Sequence, residues 1–358
     1  MKQNPFIYLR VLKHVDMSVF CVADGQKFYW DPQFGVPVPY SSGQQVKRST
    51  MECLTDILNV QPSPVKFCYK INSKGAIKEG EVLSLANPEY VDQLIGGWMR
   101  CLSNGEEKTY KRRSPLFISA MTPLHPLLAG VFEEKSITFD RSDRPGNNHV
   151  SVKDSDGKDL TDEQINNLLK NDDRSLYRKW ITGNNARRAT GLFVNNIGID
   201  LRRLFCVSTE KLESEISAET VEHLKDKGWK LIHNVFGECL LMPKEDRDKV
   251  IPAIANALID WHIDSNQART FSLMETLAVA ISSKANKVAD SICAKLMEYS
   301  EDKQKAKPTI NEVDGVDVYI TLPGAGYVVT ESESADALDK AKQDLIQRMN
   351  AFDYENQM

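Results

Sequence analysis

The sequence predicts an α+β fold. Two observations carry this. Segments with strand character and segments with helical periodicity follow one another without the strict strand–helix–strand repeat of a doubly wound sheet. The composition is that of an ordinary globular chain, 41% hydrophobic and 27% charged over 358 residues, enough to bury a core without metal or disulfide staples.

Residues 6–23 are rich in Phe, Ile, Val and Leu and end at the turn pair Asp24-Gly25, which predicts one long strand or two short ones. A proline-rich loop with Phe28, Tyr29, Trp30 and Phe34 follows. These aromatics are expected to pack in the core, with base stacking the lesser possibility. Ser41-Ser42 then supplies an N-cap for a helix to about Leu58. Further on, 65–71 reads as a strand, 90–102 as a helix and 116–121 as a short strand closed by Pro123 and Pro126. Residues 132–140 and 149–153 are strand-like around turn chemistry at 141–148, which predicts a protruding hairpin. The remaining expectations are helix at 161–180, strand at 191–207, helix at 220–227, an amphipathic helix at 247–263, strand or helix at 270–282, and helices at 285–299 and 334–349.

Charge is unevenly spread. The net charge is -5, yet residues 174–204 hold seven bases against one acid, and the chain from 301 onward holds twelve acids against six bases. One surface is therefore basic and the tail acidic, which leaves room for nucleic-acid contact despite the sign of the whole. Seven scattered cysteines without a CxxC pair, and six histidines without HxxxH or HExxH, argue for a reducing compartment and against zinc. No stretch has the ~18 apolar residues of a membrane helix, and Lys13, His14 and Asp16 interrupt any signal-peptide core. The expectation is a cytoplasmic protein without membrane contact. A P-loop and a GxSxG elbow are absent, and Gly324-Ala-Gly326 is only a fragment of a dinucleotide loop. No cofactor, metal or catalytic residue is expected.

The most informative segment is 41–48, SSGQQVKR. Lys47 and Arg48 lie near the start of the helix, where the macrodipole prefers anions. Ser41, Ser42 and Gly43 offer hydroxyls and open backbone N–H groups there. Together they describe a site for an anion, most naturally a phosphate. The competing reading is an ordinary capped helix with an Arg48–Glu52 pair.

This segment, after an N-terminal strand and loop, resembles the Ser-Ser-Gln-x-x-Lys-Arg segment of the RAMP-type backbone subunits of Class 1 CRISPR effector complexes, the proteins that line the guide RNA in Cascade. Gly43 is an insertion relative to that pattern. Residues 114–126 (SPLFISAMTPLHP) resemble the strand that precedes the family's thumb, 190–204 (TGLFVNNIGIDLRRL) the strand that returns from it, and 265–270 (SNQART) the polar loop before its last core strand. The resemblance runs in order over about residues 5–285. It implies one elaborated domain. An RRM-like (ferredoxin-like) palm would span about 1–60 and 186–285. A helical or finger insertion would fill about 61–130, a thumb hairpin with its helix about 131–185, and an acidic extension about 286–358.

It further implies a non-catalytic, RNA-binding, self-assembling subunit in antiviral defence. Such a subunit holds crRNA by its phosphates and presents bases to target DNA or RNA, beside copies of itself and other subunits. The expected RNA-binding residues are Ser41, Ser42, Gly43, Gln44, Lys47 and Arg48, then Arg141, Arg144 and Lys153 on the hairpin, Arg187 and Arg188 at its return, and Asn266, Gln267 and Arg269 in the polar loop. The alternative is a target-RNA-cleaving ribonuclease subunit of the same superfamily, with Asp24 or Asp31 as the aspartate near the first-strand loop, although both read as turn residues.

Overall fold

The computed structural model describes residues 4–20, 26–100, 109–133, 137–170, 174–181, 187–264, 271–298 and 304–357. Its centre is an antiparallel sheet. In chain order its main strands are β1 (Phe6–Ser18), β2 (Leu116–Ile118), β3 (Arg187–Asp200), β4 (Thr276–Ser282) and β5 (Asp317–Ile320), and their spatial order is β2-β3-β1-β4-β5. Helix α1 (Gly43–Leu58) lies between β1 and β2 in sequence, and α2 (Lys244–Asp260) between β3 and β4. The order β1-α1-β2-β3-α2-β4, with β1 and β3 as neighbours inside the sheet, is the ferredoxin-like split βαβ arrangement. Every other connection in the chain decorates it, and the α+β expectation holds.

Alternation along the strands separates two cores. Ile7, Leu9 and Val11 of β1, Ile197 and Ile199 of β3, and Val279 and Ile281 of β4 pack against Leu54 of α1 and Ile254 and Leu258 of α2. A third helix, α3 (Ala337–Ala351), lies against α2 and contributes Ala341, Leu345 and Met349 to the same core. The opposite residues Leu12, Val194, Ala278 and Ala280 pack against Val288, Ile292 and Val328. Residues 288–328 thus cover part of the second face of the sheet. Because β4 is buried on both sides, residues 270–282 show no alternation, which is why strand and helix could not be separated there.

Several expected helices are shorter than their sequence patterns. The helix expected at 90–102 spans only Val91–Gly96. Gly97 ends it at φ 75°, and a Cβ there would stand 2.6 Å from the carbonyl oxygen of Arg112. Trp98–Arg100 then pairs with Tyr110–Arg112. The helix expected at 161–180 is confined to Asp162–Leu169, opened by a capping box between Thr161 and Gln164. The one expected at 285–299 ends at Ser291, and Ile292–Leu296 continues as a strand against Ala306–Ile310.

The expected hairpin also has a different partner. Ile137–Asp140 pairs not with 149–153 but with Arg178–Ile181, where Asp140 accepts a 2.7 Å hydrogen bond from Arg178 Nε. Asp140 also accepts from the backbone and hydroxyl of Ser142, and these bonds pull its carboxyl down to about 2. Local turn-forming side chains bend the chain away before 149–153 can return as a strand.

A candidate nucleic-acid interface at the start of helix α1

Helix α1 begins where its sequence says it should. Ser42 is the N-cap, and its hydroxyl accepts from Gln45 N–H. Ser41 is buried and exchanges two 3.0 Å backbone hydrogen bonds with Met121, which anchors the helix entry to the segment after β2. Gly43 sits tight against that segment: a Cβ would lie 3.0 Å from Ile118 O and 3.2 Å from Ala120 N. Gly43 is thus the residue that lets the first turn approach the strand.

The first turn carries no acid. Among the described residues, the N–H groups of Gly43 and Gln44 have no acceptor, and the buried Ser41 hydroxyl makes no hydrogen bond. Gln44 and Ser42 are exposed. This corner combines unpaired donors with the positive end of a 16-residue helix.

The two basic residues behave differently. Lys47 turns away from the helix start and donates to Gly96 O at 2.5 Å, where it satisfies a carbonyl at the end of the 91–96 helix. Burial lowers its pKa. Lys47 is therefore a tether between α1 and the insertion, in keeping with its place on the apolar face, and its ammonium is already engaged. Arg48 is exposed and pairs with Glu52 at 2.7 Å, a solvent-screened i,i+4 contact.

Beside this corner lies the short ladder Phe28–Asp31 with Val36–Pro39. Gln26 pins its ends: the side chain accepts from Phe20 N–H and donates to Lys27 O and Tyr40 O. The core-packing expectation fails for two of its aromatics, since Tyr29 is 45% and Trp30 63% exposed. Two prolines in the partner strand and a two-stranded ladder leave no second layer to bury them. Asp31 is a turn residue: its carboxylate accepts from the N–H groups of Gln33 and Phe34. Asp24 lies outside the described residues.

The strand that precedes the 137–181 segment lies at the same corner. Ala129–Glu133 pairs with the first residues of β3, Glu133 opposite Arg187. Arg187 Nε donates to Glu133 at 2.8 Å, and its guanidinium lies 4.7 Å from the centre of the Phe28 ring. Arg188 follows, donating to Arg187 O. Ser41, Ser42, Gly43, Gln44 and Arg187 are thereby linked through the 26–42 loop and the 119–133 segment. Arg141 stacks over Phe139 and Arg144 pairs with Asp143, both exposed in the turns beyond the 137–140 ladder; the Lys153 backbone pairs with that of Asp159 in a further turn. Asn266, Gln267 and Arg269 lie outside the described residues.

The second face of the sheet is only partly covered: Phe117 is 36% exposed on it and lies beside Gly198 and Tyr8. In an RNA-recognition fold the open face displays aromatics for stacking. Here Arg10 on that face donates to Ile292 O and to Asn196 Oδ1, both at 2.8 Å, beneath the C-terminal cover. Among the described residues no His/Cys/Asp/Glu cluster could hold a metal, and no helix is long and apolar enough to cross a membrane.

No family model matches the chain, and no curated protein matches its sequence. Among solved structures, a chain of a CRISPR RNA-guided surveillance complex described as pre-nicking aligns with a TM-score of 0.43 at 9% identity, over 96% of this chain and 88% of that chain. A chain of a second CRISPR RNA-guided surveillance complex aligns with a TM-score of 0.42 at 10% identity, over 97% of this chain and all of that one. At these values the likeness carries no weight for function.

Proposed function

We propose that this chain is an RNA-holding subunit of a CRISPR surveillance complex, gripping a guide strand by its phosphates. The observation that carries the reading is the acid-free start of α1, where the Gly43 and Gln44 N–H groups and the Ser41 hydroxyl lack partners among the described residues. Such donors at a helix start suit a phosphate and read no sequence. Trp30 and Tyr29 stand exposed on the adjoining ladder, where bases can stack on them. Arg187, next to the Ala129–Glu133 strand, and Arg48 add positive charge; Lys47 does so only through the field, since its ammonium is directed at Gly96 O. Base edges held this way remain free to pair with a target strand. The chain does no chemistry in this reading.

The test is purification from the native host followed by sequencing of co-purifying RNA, together with a salt titration of RNA affinity. A uniform class of short guide RNAs is expected, with affinity that falls steeply between 50 and 200 mM salt, as phosphate neutralisation releases counterions. Nucleic-acid-free protein whose RNA affinity ignores salt would overturn the reading.

A further inference from the structure

Two buried cysteines lie together in the three-stranded sheet that follows β3. Its strands are Cys206–Ser208, Lys230–Asn234 and Gly237–Leu241, the last in the middle. The register sets Cys206 opposite Leu241 and Ser208 opposite Cys239. Alternation then puts both cysteine side chains on one face, as diagonal neighbours across the ladder. Both are buried and both are free thiols. Cys239 donates its S–H to the sulfur of Cys206.

The surroundings differ from those of an inert core thiol. Gln357 Nε2 lies 3.3 Å from Cys206 Sγ, and Arg112 Nη1 donates to Cys206 O at 2.6 Å. The bond from Cys239, with the Gln357 contact and the charges of Arg112 and Arg247, holds the Cys206 thiol below its usual range despite burial. The same bond, with burial, pushes the Cys239 thiol up. Cys206 is thus the readier nucleophile, and Cys239 keeps its proton. A narrow cleft of about 10 Å³ is lined by both cysteines together with Arg112, Ser208 and Glu238, which gives room for about one water-sized molecule beside the pair. Cys206 opens its strand, so the small closing movement that a diagonal pair needs to form an S–S bond falls on the end of the ladder.

The C-terminal tail rests on this sulfur. Tyr354 is buried, its ring edge-on to Phe205 at 5.2 Å and to Phe352 at 5.0 Å. Gln357 Nε2 joins Tyr354 O to Cys206 Sγ. Among the described residues, Tyr354 Oη and Gln357 Oε1 are buried without a hydrogen-bond partner. Water would satisfy both atoms if the tail lifted, so the closed tail is weakly held.

We propose that Cys206 and Cys239 form a dithiol sensitive to small hydroperoxides, and that its oxidation releases the tail from Phe352 onward. The Cys206 thiolate attacks one peroxide oxygen. The O–O bond breaks, and the departing oxygen takes up the proton that the thiol gave, leaving as water or an alcohol. Cys206 is now a sulfenic acid. The Cys239 sulfur attacks the Cys206 sulfur, the S–O bond breaks, and the hydroxyl leaves as water with the Cys239 proton. Two thiols thereby give two electrons and two protons to the peroxide. In the disulfide the Cys206 sulfur is drawn toward Cys239, and the Gln357 contact is lost. This device is independent of the RNA reading above.

The test treats the reduced, full-length protein with hydrogen peroxide. Intact mass should fall by two hydrogens, and peptide mapping after denaturing alkylation should find Cys206 joined to Cys239. Dithiothreitol should reverse both results. Carboxypeptidase should trim the tail about ten-fold faster from the oxidised than from the reduced protein, with unchanged circular dichroism. Gln357→Ala should bring the reduced protein to the faster rate and leave the cross-link able to form. Cys239→Ser should stop at a Cys206 sulfenic acid that dimedone traps. Thiols that survive peroxide, cross-links that run only through other cysteines, or a Cys206–Cys239 disulfide with unchanged trimming would each overturn the proposal.

Discussion

Lys47 and Gly96 are joined by a 2.5 Å hydrogen bond from the ammonium to the last carbonyl of the 91–96 helix. A lysine at the start of α1 is thereby committed to holding the insertion. Lys47→Met should lower stability by about 1–3 kcal/mol, because a half-buried acceptor loses a charged donor. Arg48→Glu should leave the melting temperature nearly unchanged while weakening RNA binding and reducing the slope of log affinity against log salt by about one. Thermal melts and salt titrations of the two single variants separate these roles.

Arg112 and Glu215 form a buried ion pair at 2.9 Å, and Arg112 also donates to the carbonyls of Leu94, Arg203 and Cys206. The pair ties the 61–113 insertion to the segment after β3. Glu215→Gln should cost about 3–5 kcal/mol in urea denaturation, since it strands a desolvated guanidinium.

Lys13 is fully buried, its ammonium 2.9 Å from Thr276 Oγ1 and within 3.4 Å of the carbonyls of Ile259, Trp261 and Met274. Burial pulls its pKa down to about 8, against the opposing pull of Asp260 and Cys53. Below pH 8 both folded and unfolded chains carry the proton, and the burial cost is fully present. Between pH 8 and about 10.5 the unfolded chain holds more protons than the folded one, so this group's contribution to stability rises with pH. The stability difference between wild type and Lys13→Met, followed by denaturation from pH 7 to 10, should shift toward the wild type. A difference that stays flat would show that Lys13 titrates normally.

Replacing residues 142–148 by a short Gly-Ser turn should leave the fold intact, since 142–146 are exposed and Asn148 is only half-buried. Protection of a bound guide from nuclease should fall if this tip reaches RNA. Unchanged protection would remove Arg144 from the RNA-binding set.

What could be read in the sequence was local. Ser42 announced α1, and the apolar stripe carried it to Leu58. The covered strand β4 and the strand at Ile292 were obscured because their partners lie elsewhere in the chain and periodicity does not report partners. The same holds within the candidate site. Ser41, Ser42 and Gly43 could be placed together from their spacing, but Lys47 could not be assigned to Gly96, 49 residues on, nor Arg187 to the face of Phe28. Trp30 and Tyr29 were misjudged because an aromatic run looks the same whether or not a second layer exists to cover it.

The central place of β1 has a consequence for how the chain is made. Its neighbours are β3 and β4, so Tyr8 lies opposite both Gly198 and Ser282. During synthesis the first strand emerges with neither partner available. At about 5–20 residues per second the ribosome takes on the order of 15–60 s to deliver β4. Through that interval the apolar strand has two open edges until β3 emerges and one until β4 does. The sheet closes late, through contacts of very long sequence separation, and folding is correspondingly slow.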